Sequence, residues 1–166
     1  MPRTAAKVLL WLFVINLGIA FGAGVYESTI VIPRWLTPAP GNGFLWNAEV
    51  ARQDNTGLRF WIYVTTVPLT AITLANLLGA WRARGSSSGW WTMATLTAFS
   101  ERLFTFLYFI PTMIELMGGR TTGPEAETMA RQWVNFNYAR QGLVLIAWLA
   151  ALKAFALVHR SNRSLS

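Results

Sequence analysis

Two stretches of this chain leave little choice of solvent. Val8–Tyr26 runs 19 residues and Phe60–Trp81 runs 22 without a charged side chain. An α-helix needs about 20 mostly apolar residues to cross the hydrocarbon core of a bilayer. Two further stretches are nearly as apolar: Trp90–Met117 is interrupted by Glu101, Arg102 and Glu115, and Trp133–Val158 by Arg140 and Lys153. The pattern predicts helices at about 8–32, 58–81, 90–117 and 132–159 within a single domain, residues 1–166. The expected fold class is all-α membrane, an antiparallel bundle of four transmembrane helices with a long first extramembrane loop. Length beyond the hydrocarbon core is absorbed by tilt or by helix outside the membrane.

Composition agrees. Charged residues make up 13% of the chain, about half the share expected of a soluble domain. The aromatic and aliphatic content rules out disorder. With no Cys and a single His, His159, there is no disulfide framework, thiolate nucleophile or multi-histidine metal centre, and no cofactor is implied. The net charge of +7 does not signal nucleic acid, because the 14 Lys/Arg are scattered between apolar runs rather than gathered in an aromatic-interleaved stripe. The partner they imply is the lipid bilayer. Arg3 and Lys7 before the first apolar run resemble a signal peptide, but the run exceeds the usual apolar core of one and reads as a retained helix. Arg3, Lys7, Arg82, Arg84, Arg160 and Arg163 fall on one side, against Arg34, Arg52, Arg59, Arg120 and Arg131 on the other. That bias makes the protein multi-pass with both termini cytoplasmic.

The outer loop, Pro33–Gly57, is punctuated by Pro33, Pro38, Pro40, Gly41 and Gly43, with Leu45–Arg52 readable as a short interfacial helix. Trp35, Phe44 and Trp46 suit the headgroup level, as do Trp11, Trp81, Trp90 and Trp91 near helix ends. Gly85-Ser86-Ser87-Ser88-Gly89 matches the nucleophile-elbow pattern formally, but a membrane helix rather than a strand precedes it, so it reads as a flexible turn. Asn162-Arg163-Ser164 is a chance sequon in a cytoplasmic tail. Lys153 snorkels toward the inner surface, and His159 is a solvated C-terminal residue.

Polar residues recurring at three and four positions share one helix face. Glu101, Thr105, Tyr108, Thr112 and Glu115 do so on the third helix, and Arg59, Tyr63, Thr66, Thr70 and Thr73 on the second. The first offers Asn16, Ala20, Ala23 and Glu27, the fourth Trp133, Asn137 and Arg140. A polar face in a membrane helix is buried in protein or lines a cavity. Gly18, Gly22 and Gly24 allow close approach of a neighbour, within the chain or in a homo-oligomer.

Antiparallel order brings Arg59 level with Glu115, and Glu27 near the level of Asn137 and Arg140, so two carboxylates and two guanidiniums are expected to converge in the outer half. Pro68 and Pro111 each free a carbonyl and kink their helices, which splays the bundle into an outward-opening pocket ringed by Tyr63, Tyr108 and Trp61. Glu101 sits deeper and is placed to meet Asn16 or Thr73. Arg102 points about 100° away from Glu101 and is not expected to face it. The same charges serve equally as structural ion pairs, and threonine stripes as self-bonded interior faces.

Gly22-Ala23-Gly24 running to Pro33, Phe109-Ile110-Pro111-Thr112, and the W-x3-N-x2-R pattern of Trp133, Asn137 and Arg140 resemble the anthrone-oxygenase-like family of small four-helix membrane proteins. The resemblance implies a cofactor-independent oxygenase acting on an apolar aromatic, anthrone-type substrate. Such chemistry needs a base and an anion-stabilising group in a dry pocket. Glu27 or Glu115 is the candidate base, and Arg140 and Asn137 hold the oxyanion. Arg59, Tyr63, Tyr108, Thr112, Trp133 and Glu101 are the candidate substrate-binding residues. The non-catalytic alternative is a binder or transporter of a small amphipathic ligand, or a structural subunit of a membrane complex.

Overall fold

A computed structural model describes residues 3–39, 43–54 and 58–163. Pro40, Gly41 and the loop's end at Gly57 lie outside the described residues, as does Ser164 of the sequon. The helices are α1 (Arg3–Tyr26), α2 (Ala48–Gln53), α3 (Leu58–Phe60), α4 (Val67–Arg82), α5 (Ser88–Phe104), α6 (Ile110–Gly118) and α7 (Gly123–Arg163). Among the described residues, three continuous helical stretches are long and apolar enough to cross a membrane: Thr4–Trp35, Leu58–Arg82 and Gly123–Arg160. The Ser88–Gly118 stretch carries Glu101, Arg102 and Glu115 and is not among them.

Helix α1 packs on α4 and α7, and α5 packs on the same two. Their shared core is Phe13, Leu17 and Ala20 of α1, Leu69 of α4, Ala94 and Ala98 of α5, and Val144, Ala147, Ala150 and Ala151 of α7. Alanine dominates on α7, which lets the neighbouring backbones approach closely. Gly18 lies against the Trp148 ring, and a Cβ on Gly24 would overlap the Gln141 amide, so both glycines serve contacts within the chain. The region around Gly22 is open. Trp91 is not an interface anchor. It is 2% exposed, and its Nε1 donates to Asn76 Oδ1 at 2.9 Å, because a buried indole N–H requires an acceptor. Trp11, Trp81 and Trp90 are exposed.

Three prolines share one local geometry. Pro33, Pro68 and Pro111 each follow a π-helical turn, over Glu27–Val31, Trp61–Thr66 and Thr105–Phe109. In each case the residue before the proline donates five residues back: Ile32 to Glu27, Val67 to Ile62 and Ile110 to Thr105. Proline has no N–H, and its ring collides with the carbonyl four residues earlier. Widening the preceding turn relieves that collision and leaves the carbonyl without its helical donor. For Pro68 that carbonyl belongs to Val64, and Asn16 of α1 supplies the missing donor, Nδ2 to O at 3.1 Å. The polar face of α1 therefore clamps the proline kink of its neighbour. We expect Asn16→Leu to lower stability by about 1 kcal/mol, the scale of interhelical hydrogen bonds in membranes. In a Pro68→Ala background, where residue 68 regains an N–H, most of that cost should vanish in a detergent-unfolding titration. An undiminished cost would show that Asn16 acts elsewhere.

The connections follow local chemistry. Gly85 adopts a left-handed conformation and Ser88 Oγ donates to its carbonyl, so the Gly/Ser segment is a turn. Gly119, also left-handed, stops α6, and α7 starts at Gly123, nine residues before the predicted start. The loop after the first helix is not wholly irregular. An antiparallel hairpin, β1 (Leu36–Ala39) and β2 (Gly43–Trp46), precedes α2, which Asn47 caps by accepting from Val50 N–H. Trp35 is buried, and Trp46 Nε1 donates to the Leu116 carbonyl at 3.2 Å. These rings, expected at the headgroup rim, instead form a cap core with Leu116, Ala130 and Trp133 over the ends of α6 and α7.

Candidate functional site

Buried charges gather where α5, α7 and the end of α1 meet. Glu101 is 1% exposed and Arg102 is 7% exposed. Arg102 Nε and Nη2 each donate to a Glu101 carboxylate oxygen at 2.6 Å, and Thr105 Oγ1 donates to the same carboxylate at 2.9 Å. The expectation that adjacent residues cannot face each other is overturned. The guanidinium sits at the end of a long flexible stem, which folds back across the helix surface to its neighbour. Glu101 accordingly meets Thr105 and Arg102, while Asn16 is engaged at Val64.

Arg140 Nη2 lies 3.6 Å from Glu27 Oε2, with both side chains largely buried. The guanidinium carbon stands 4.6 Å from the Phe109 ring centroid and 5.8 Å from that of Trp61, two cation–π contacts that hold the cation in apolar surroundings. Glu27–Arg140 and Glu101–Arg102 are thus two ion pairs, together a neutral set of four charges. The hairpin of helices sets their level. Glu101 precedes the end of α6 by as many residues as Arg140 follows the start of α7, so antiparallel packing brings them together.

The expected second pair does not form. Glu115 is exposed and accepts from Thr121 at 2.7 Å, Arg59 is exposed, and among the described residues no ion pair joins them. Of the four charges expected to converge, Glu27 and Arg140 pair while Glu115 and Arg59 do not, and Glu101 and Arg102 pair with each other instead. Two physical reasons account for it. The early start of α7 puts Arg140 deeper than an assumed start at 132 would. The π turns take one extra residue, so a stripe drawn at helical spacing rotates off the buried face when it crosses one. Tyr63, inside such a turn, is 72% exposed.

Other predicted residues fall nearer. Asn137 is buried, and its Nδ2 donates to Ser28 Oγ at 2.9 Å, clasping α7 to the turn that carries Glu27. Trp133 Nε1 approaches the Phe109 carbonyl at 3.4 Å. Tyr108 stacks on Phe104 at 5.5 Å, with its hydroxyl buried. Thr112 is half-buried.

A cleft of about 530 Å³ adjoins the charged set, a size typical of small-molecule sites. Ile19, Ala23, Tyr26 and Glu27 of the first helix line it, with Phe60 and Trp61 from the 58–66 segment and Arg34, Trp35 and Asp54 from the loop between them. Glu27 is the member of the charged set that lines it, and Trp61 is its hydrogen-bonding neighbour. Arg34 Nε and Asp54 Oδ2 pair at 3.4 Å across the loop end of the cleft. Arg34, Asp54 and Trp35 escaped the sequence reading as site residues, because a loop's ends meet only once it folds. Among the described residues, no group of three His, Asp or Glu side chains is placed to hold a metal.

No protein family, curated protein or solved structure matches the chain.

Proposed function

We propose that the chain crosses the membrane four times, with Ser88–Gly118 as the third crossing and both termini cytoplasmic. The mutual neutralisation of Glu101 and Arg102 supports this, since paired charges make tolerable a helix that hydropathy alone rejects. The short 83–87 connection makes α4 and α5 antiparallel neighbours, and the Lys/Arg bias sets the orientation.

Within that bundle we propose a site for a flat, mostly apolar molecule carrying one weakly acidic group, with oxygenase-like turnover. The observation that carries this reading is a largely buried carboxylate, Glu27, opening onto an aromatic cleft with its counter-ion held behind it. On an anthrone-type ketone, Glu27 takes a proton from the ring methylene. The resulting electron-rich anion attacks dioxygen directly. The C–O bond so formed makes a peroxide anion, which takes the proton back from Glu27, and loss of water from that hydroperoxide leaves the ring carbonyl. Arg140, freed from a protonated Glu27, is the cation standing behind that carboxyl as the new anion forms.

The inner half favours a binding or catalytic site over a transport path. Asn76 is occupied by Trp91 and by the Ile72 carbonyl, and Leu10, Ala80, Trp91 and Ala154 close the space around them. The test is an oxygen electrode reading on the purified protein in lipid nanodiscs supplied with anthrone. We expect oxygen uptake above the lipid-only rate and quenching of tryptophan emission on binding. The absence of both uptake and quenching would overturn the site.

A further inference from the structure

The cleft has a direction. Asn16 clamps Val64 one turn below Ile19, which pins the first helix to the 58–66 segment below the level of the lining residues. From Ile19 to Arg34 the wall rises through fifteen residues, about 22 Å at helical rise. That matches one leaflet with its headgroup layer, about half of the 40–45 Å bilayer. The outer end is crossed by the Arg34–Asp54 pair and by buried Trp35. The side is different. Ile19, Tyr26 and Phe60, all lining residues, are 40%, 60% and 38% exposed, on the apolar surface that a bilayer covers. A Cβ on the adjacent Gly22 would meet nothing within 4 Å.

We propose that the cleft fills sideways from the outer leaflet, between the first helix and the 58–66 segment, and that its occupant is an uncharged aromatic alcohol or ketone dissolved in the bilayer. This rests on the four-crossing, ligand-binding reading above and adds the route and the ligand's phase. The lining charges decide against an ion. Arg34 is committed to Asp54 and Glu27 to Arg140, so an anion would face Glu27 and a cation would face Arg34. A neutral hydroxyl or carbonyl hydrogen-bonds at either level without a counter-charge, and Tyr26, Phe60 and Trp61 offer ring faces along the way.

The natural absence of cysteine allows a direct test. A nitroxide is attached to Ala23→Cys, and separately to Tyr26→Cys in case the first variant folds poorly, with Ile15→Cys as the lipid-facing reference, all in nanodiscs. Collision with dissolved oxygen should exceed collision with a water-soluble nickel chelate severalfold, as at the reference. Nickel dominance, or shielding from both, would overturn lateral entry. Adding 1-naphthol to the bilayer should then cut oxygen collisions at Ala23→Cys and leave the reference unchanged. Oxygen dominance without that protection would keep the lateral opening and overturn the ligand class. Protection with nickel dominance would keep the binding site and overturn the route.

Discussion

Arg102→Leu is expected to be the most destabilising single substitution in the chain, at about 3–5 kcal/mol. The wild-type guanidinium makes two charge-assisted hydrogen bonds to Glu101, and neither side chain reaches bulk water. Removing it strands a carboxylate that is 1% exposed with Thr105 as its remaining short-range donor. The cost is mainly that of an uncompensated buried charge rather than the worth of the pair. The double substitution Glu101→Leu/Arg102→Leu should therefore recover most of the loss, since apolar groups of similar volume replace a buried pair at little cost. Unfolding of both variants by denaturing-detergent titration separates the cases. A single variant no worse than the double would mean that Glu101 is solvated and that the set of four is not a unit.

The neutral set also marks the limit of what periodicity could reveal. Apolar runs locate the helical stretches, and the α1 stripe survives intact: Asn16 reaches the second helix, and Ala23 and Glu27 line the cleft. That stripe holds because it ends where the first π turn begins. The stripes on the second and third helices each cross a π turn, and each fails there. Glu101 and Thr105 are buried while Glu115, beyond the turn, is exposed; Thr73 is buried while Arg59, on the other side of its turn, is not. Proline was legible as a kink, but the extra residue that its turn takes up was not. Likewise α7 was misplaced because Gly123–Gln132 is polar, and a hydropathy reading excludes polar helix beyond the hydrocarbon core. The Glu101–Arg102 contact was missed for a simpler reason: helix geometry fixes where Cβ points but not where a long arginine ends.

Glu27→Gln is expected to reduce oxygen uptake with anthrone by about 10²- to 10⁴-fold, the range for loss of a positioned proton acceptor. Alone, that result would be ambiguous. Glutamine also removes the counter-ion of Arg140, which is held between Phe109 and Trp61 and largely buried. A strained or loosened bundle would lose turnover too. The double variant Glu27→Gln/Arg140→Gln resolves this, because it leaves a neutral pair of similar shape with no stranded charge. Its stability should return toward that of the wild type, by the reasoning that applies to Glu101 and Arg102. Its turnover should not return, since no carboxylate faces the cleft. Recovery of both would make Glu27 a strap between α1 and α7, and would move the proton acceptor away from this cleft altogether.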